Sequence, residues 1–226
     1  MKKSLLAAGL GLSMALSGVA QAKTMVFCSE GSPEGFTPSL YSAGTTFDAS
    51  SQTIFNRLVQ FETGTTKVIP GLAESWSASD DGLEYTFNLR KGVKFHSTPY
   101  FTPTRDFNAD DIMFSFNRQW DKDHPYYAVG GEHLYFGWMG MDGLIGSIDK
   151  IDDHTVKFTL TKPESPFVSN LAMDFASILS AEYADNLTAS GNQADIDFKP
   201  VGTGPFVFKS YKKDSMIRYE AFDDYW

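Results

Sequence analysis

The 226-residue chain is 42% apolar, 15% aromatic and 21% charged, the make-up of a globular protein long enough for one large domain or two small ones. Its 28 acidic residues outnumber its 19 lysines and arginines, and the net charge of −9 argues against nucleic acid and against anionic membranes as partners. A small zwitterionic ligand is not excluded by that balance.

The first residues do not belong to the fold. Lys2-Lys3 is a basic n-region, Leu5–Leu16 a short apolar run, and Ala20-Gln21-Ala22 a small-x-small site before Lys23. This predicts a secretory signal peptide over residues 1–22, cleaved after Ala22 and too short to be a typical membrane span. Cleavage removes two lysines and no acid, which takes the net charge from −9 to −11. No cysteine follows the cleavage point directly, so a lipid anchor is not expected. The mature protein is expected to be soluble and exported, and periplasmic in a cell with two membranes. Cys28 is the only cysteine. In an exported chain it reads either as half of a disulfide or as a small buried hydrophobe at a strand end.

Thr24–Cys28 reads as a strand. The stretch Ser29–Ser50 is a loop rich in Gly, Pro, Ser and Thr, broken by Phe36, Leu40 and Tyr41. Asp48 is a good N-cap for a helix from Ala49 to Val59, with Ile54, Phe55, Leu58 and Val59 on one face. Glu62–Thr66 is a turn, Lys67–Pro70 is extended, and Leu72–Trp76 reads as a helical turn. After the turn Asp80-Asp81-Gly82, the alternation Leu83, Tyr85, Phe87, Leu89 predicts a half-buried strand, and Val93–His96 a short one. Residues 97–107 are loop. Asn108 caps a helix with Asp110 and Asp111 in its first turn and Ile112, Phe116 and Trp120 along one face. Residues 122–146 form a long aromatic stretch without a period. Ile148–Ile151, the turn Asp152-Asp153-His154 and Thr155–Leu160 predict a hairpin with Val156, Phe158 and Leu160 toward the core. Helices follow near Phe167–Met173 and over Ala181–Ser190, then a turn at Gly202–Pro205 and a hairpin from Phe206–Tyr211 and Met216–Ala221. Mixed helices and hairpins give an α/β (mixed α+β) class.

No catalytic motif emerges. His96, His124, His133 and His154 share no helical spacing, and no metal site or cofactor is expected from them. The pairs Asp110-Asp111, Asp152-Asp153 and Asp223-Asp224 invite a glycosidase or calcium reading, but two of them fit a helix first turn and a hairpin turn better, and no EF-hand loop is present. Gly202-Thr203-Gly204-Pro205 has the wrong spacing for a phosphate loop. Tyr126, Tyr127, Tyr135, Phe136 and Trp138 read either as the wall of a side-chain pocket or, more commonly, as core under a long loop. From spacing alone, the loop before Asp48 is a helix entry with Gly44 as a hinge.

Several ordered stretches carry a resemblance. They are the run from Ser29 to Phe61 (SEGSPEGFTPSLYSAGTTFDASSQTIFNRLVQF), Pro70–Trp76, Tyr85–His96, Phe107–Asp111, Gly202–Phe206 and Tyr219–Trp226. Together they resemble the N-terminal part of the peptide- and nickel-binding family of extracellular solute-binding proteins of ABC importers. The resemblance implies a fold like the type II periplasmic binding proteins. Residues 23–55 and 200–226 would form an incomplete first lobe, residues 56–199 an inserted subdomain, and the second lobe would lie outside this chain. It implies capture of dipeptides or short peptides for a membrane permease, without catalysis, by a monomer that does not bind nucleic acid. Oligopeptides, glutathione, haem or a nickel chelate are alternative ligands within the family; an exported hydrolase using Asp110 or Asp111, or a chaperone-like module, lies outside it. Ser42, Ala43, Gly44 and Thr45 are the positions the resemblance assigns to the ligand main chain, with Ser42 where the family usually has Thr. The groups that hold the peptide termini in the family, and a cysteine to pair with Cys28, would lie beyond Trp226.

Overall fold

The computed structural model describes residues 24–226, so the signal-peptide reading of 1–22 lies outside the described residues. The architecture is α+β with antiparallel sheets. At its centre is a four-stranded sheet in the order β3-β4-β6-β5, built from β3 (Ala73–Ala78), β4 (Glu84–Leu89), β5 (Ile145–Asp152) and β6 (Thr155–Leu160). A two-stranded ribbon, β1 (Val59–Phe61) with β2 (Val68–Pro70), precedes it, and the hairpin β7 (Phe206–Lys212) with β8 (Met216–Ala221) follows it.

The alternation in the sequence sets the sheet's register. Tyr85 pairs with Phe158 and Phe87 with Val156, so the apolar members of β4 and β6 fall on the same face. That face meets the rings of Phe116 and Phe167, with Phe158 at 5.2 Å from the first and 5.6 Å from the second. The helix α2 (Ala109–Trp120) supplies Phe116. It begins with a capping box: the Asn108 side chain accepts from Asp110 N–H at 2.9 Å, and Asp111 accepts from Asn108 N–H at 3.0 Å. The helix α6 (Ala181–Ser190) starts at Ser180, whose hydroxyl accepts from Tyr183 N–H, and stops at Gly191 with φ 71°.

The Gly202–Pro205 turn joins the two ends of the chain. A Cβ on Gly204 would lie 2.6 Å from the carbonyl oxygen of Ile54, and Gly204 N–H donates to that oxygen at 2.7 Å. Backbones this close tolerate only glycine. His96 fixes the turn from the other side. Its Nδ1 faces Gly202 N–H at 3.4 Å and its Nε2 lies 2.8 Å from Gly204 O, which requires the neutral ring protonated on Nε2. Burial is what lowers its pKa, to about 4. The hairpin then packs on the N-terminal loop, with Phe36 against Phe208 at 4.9 Å and against Tyr211 at 5.3 Å.

Several expectations are corrected. Thr24–Cys28 is exposed and pairs with no described strand, so it lacks the ladder that would make it one. The helix expected from Ala49 lies earlier, as α1 (Gly44–Ala49), with Ala43 at the N-cap and Asp48 inside. The hydroxyls of Ser50 and Ser51 bond back to Thr46 O and Phe47 O and end it. Ile54, Phe55, Leu58 and Val59 are buried as expected but in extended and turn conformation. Leu72–Trp76 is not a helical turn: it leads into β3, an edge strand whose mostly exposed residues hide the alternation. Val93–His96 is extended without a ladder, because its polar groups serve Phe107 and Gly202 singly. The stretch 122–146 contains α3 (Leu134–Trp138), α4 (Met141–Leu144) and the start of β5. The helix near Phe167 is a single turn, α5 (Phe167–Asn170), and a further turn, α7 (Asp195–Phe198), lies in the segment that the sequence leaves without an element.

Candidate functional site

The loop from Ser29 to Ser50 is held by bonds reaching across the whole sequence. The buried carboxylate of Asp197 in α7 accepts from Phe36 N–H at 3.0 Å and Thr37 N–H at 2.8 Å, and from the Tyr41 hydroxyl. Burial, with the Asp197 hydrogen bond and charge, pushes the Tyr41 phenol well above its ordinary range. The Tyr211 hydroxyl donates to Pro33 O at 3.0 Å, and the Tyr219 hydroxyl to Ala49 O at 2.6 Å. Glu34 N–H donates to the Thr46 hydroxyl at 3.1 Å, and Ser39 Oγ lies 3.0 Å from Nδ1 of the buried His133.

Ser42, Ala43, Gly44 and Thr45 form the stretch these anchors leave alone. Ser42 and Gly44 are exposed, and Ala43 and Thr45 half-buried. Their four backbone N–H groups have no acceptor among the described residues, and the Ser42 hydroxyl is equally unengaged. The α1 N-cap, Ala43, carries no side-chain oxygen to satisfy them. A Cβ built on Gly44 meets nothing within 4 Å, so the backbone there is open to approach. Tight anchoring on both sides and free donors in the middle give a preorganised strip for an extended main chain.

The aromatic group divides. Tyr126 and Phe136 are core, with the Tyr126 hydroxyl donating to Ala184 O at 2.7 Å and Phe136 against Phe175 at 6.2 Å. Trp138 is exposed, and Tyr135 is half-buried between it, Phe47 of α1 and the core. Nothing in the sequence marked Phe47 or Asp197; the latter's bonds span about 160 positions.

The acidic pairs have structural duties. Asp111 is fully buried, holds Arg105 through two bonds of 2.7 and 2.8 Å, and accepts from Ala181 N–H at 2.8 Å besides its cap bond. Asp110 pairs with Lys150 at 2.8 Å, Asp152 accepts from His154 N–H at 2.7 Å within its turn, and Asp224 pairs with Lys94 at 2.9 Å. His124 and His133 are both lowered mainly by burial, and the Arg118 charge adds to it; His133 falls to about 3. Among the described residues, no cluster of three or more His, Cys, Asp or Glu has metal-binding geometry, and no helix is long and apolar enough to cross a membrane. Cys28 is exposed and unpaired to any described cysteine.

The fold is that of periplasmic binding proteins. The crystal structure of the dipeptide-binding protein from Pseudoalteromonas sp. SM9913 in complex with Met-Leu superposes with a TM-score of 0.86 at 44% identity, over 88% of this chain and 39% of that one. The sequence profile "Bacterial extracellular solute-binding proteins, family 5 Middle" matches residues 67–226, and the chain belongs to that family of solute-binding proteins. It is 56% identical to the dipeptide-binding protein of Escherichia coli (strain K12), over 100% of this chain and 42% of the relative. It is 54% identical to heme-binding protein A of Haemophilus influenzae, over 90% of this chain and 37% of the relative. The chain thus spans about two fifths of the length of these relatives.

Proposed function

We propose that this chain is the first part of an exported, periplasmic solute-binding protein that captures dipeptides or short peptides and hands them to the membrane permease of an ABC importer. The observation that carries this reading is the strip of free N–H groups at Ser42–Thr45 on a loop pinned at both ends. Ser42, Ala43, Gly44 and Thr45 grip the ligand's main chain by strand-like hydrogen bonds, which give affinity without choosing side chains. Residues 23–55 with 200–226 act as one lobe and 56–199 as an inserted subdomain; the contacts of β7 and β8 with Phe36, Thr53 and Ala49 favour that division. A second lobe closes over the ligand, and the ligand's preference for the closed state drives the closure. The protein acts as a monomer, uses no cofactor and catalyses nothing, since the acids that a hydrolase would need are occupied by Arg105, Lys150 and backbone donors. Cys28 pairs with a cysteine in the segment that follows, and export removes residues 1–22.

The test is calorimetric titration of the full-length gene product with a dipeptide panel, beside Gly44→Val. Binding by the wild type and its loss in Gly44→Val is the expected pair of results. Unchanged affinity in Gly44→Val overturns the site. Residues 23–226 alone are expected to bind weakly, and micromolar binding by that fragment would show that a second lobe is not needed. A haem-binding reading is the rival, favoured by the 54% identity to heme-binding protein A; haem binding without dipeptide binding would select it.

A further inference from the structure

One short turn touches the chain on both sides of the Ser42–Thr45 strip. It is the 3₁₀ turn Asp174–Ala176, far off in sequence, within residues 56–199. Before the strip, the buried turn Pro38–Leu40 packs against it. After the strip, three side chains converge on one oxygen, Asp174 Oδ1. The Ser51 hydroxyl and the Gln52 amide donate to it, the amide at 2.9 Å, and the Arg57 guanidinium lies 3.5 Å away. Ser51 is buried, and its single hydroxyl proton has a second acceptor in Phe47 O at 3.1 Å. That carbonyl belongs to α1, and Phe47 N–H in turn donates to Ala43 O inside the strip at 3.3 Å. A short path of bonds thus runs from Asp174 through Ser51 and Phe47 to Ala43. The turn at its origin is itself fixed: Phe175 is buried against Phe136, its carbonyl accepts from Gln119 Nε2 at 3.2 Å, and Ile178 N–H donates to Asn56 O at 2.9 Å.

We propose that Asp174 is a positioning residue of the peptide site: it acts through Ser51 to hold α1, and with it the strip, in the geometry that meets a peptide main chain. The inference rests on the reading of Ser42–Thr45 as the main-chain grip. It gives Asp174 a part in recognition without touching the peptide. Donors that are already in place lose less conformational freedom when a ligand binds, and that saving appears as affinity. A carboxylate suits the task because a hydrogen bond with one ionised partner is stronger than a neutral one. Arg57, itself mostly buried, supplies the counter-charge beside it. The strip reads main chain, so a strip out of place weakens every dipeptide alike. The rival reading is that Asp174 only props the fold, in which case affinity follows stability.

The experiment is calorimetric titration of the full-length gene product with Gly-Gly and with Gly-Phe, beside urea unfolding. Asp174→Ala and Ser51→Ala are each expected to weaken both dipeptides by about tenfold, the scale of one charge-assisted hydrogen bond. The double variant should bind no more weakly than either single one, because the two side chains form one link. Asp174→Asn keeps an acceptor for Ser51 and Gln52 but withdraws the charge opposite Arg57. It should lower the urea midpoint and keep most of the affinity. Affinity that instead follows the midpoint through these variants overturns the proposal. Additive losses in the double variant overturn it as well, and so does unequal weakening of the two dipeptides. Gly44→Val separates the two readings: if it abolishes binding of both dipeptides while Asp174→Ala and Ser51→Ala bind normally, only the positioning role falls. If Gly44→Val binds both normally, the main-chain grip falls and the positioning role with it.

Discussion

The central sheet and the Ser29–Ser50 loop are both held by hydrogen bonds, and they make those bonds by opposite means. In the sheet, neighbouring ladders satisfy the backbone, and apolar side chains on one face do the rest. In the loop, hardly any ladder exists. Its backbone is held by single side chains from distant elements, Asp197, Tyr211 and Tyr219, and from within the loop by Thr46. A ladder leaves few donors free in its interior. Point anchoring can leave four in a row, and Ser42–Thr45 are the four. The difference teaches why a recognition strip belongs on such a loop and not on the sheet.

The comparison breaks most visibly in the sheet. Phe158 is fully buried between Phe87, Phe116 and Phe167, so Phe158→Ala should cost about 3–5 kcal/mol, read as a lower urea midpoint. A loss under about 1 kcal/mol would mean that the core is not centred there.

Acid attacks the join between the two regions. Burial holds His96 neutral with a pKa lowered to about 4, against about 6.5 unfolded. Between those values the unfolded chain binds more protons than the native one, so stability rises with pH across the window. The His96 contribution is complete above pH 6.5 and is lost as the pH falls toward 4, by about 3 kcal/mol at most. His133, lowered to about 3 by burial and by the charge of Arg118, acts in the same direction. Urea unfolding at several pH values from 7 to 4.5 should show the decline, and His96→Gln should flatten it. An unchanged slope in His96→Gln would place the titration elsewhere.

The same contrast governs what the sequence makes legible. The strands β4 and β6 show as alternating Tyr85, Phe87, Leu89 and Val156, Phe158, Leu160, because one face of each is buried. The helix α2 shows through Asn108 and its two aspartates, since a capping box is local chemistry. The edge strand β3 does not show: only Ala73 of it is buried, and without a buried face there is no period to read. The site is less legible still. Spacing alone favours a plain helix entry at Asp48, and it is the resemblance that directs attention to Ser42–Thr45. Asp197 sits in a short acidic turn with nothing to mark it, because its partners lie at the far end of the chain.

Asp197 therefore gives the sharper test of point anchoring. Asp197→Asn keeps the shape but removes the negative charge that faces the Phe36 and Thr37 amides and partly offsets the buried Arg118. The expected cost is about 2 kcal/mol, the scale of a charge-assisted hydrogen bond in a buried setting. Hydrogen exchange should quicken at Phe36 and Thr37 while β4 and β6 stay protected. Equal quickening in both regions would show that the loop and the sheet open as one unit.

The smallest effect on stability should come from the strip itself. The Ser42 hydroxyl is exposed and bonds to nothing described, so Ser42→Ala should change stability by less than about 0.5 kcal/mol. If the hydroxyl meets a ligand, the same change should weaken dipeptide binding by several-fold, the scale of about one hydrogen bond. That separation of stability from affinity is what a strip held by its neighbours requires. The anchors carry the fold, and the residues between them are free to carry recognition. Should Ser42→Ala destabilise the protein as much as Asp197→Asn does, Ser42 would itself be an anchor, and the free donors beside it would no longer mark a site.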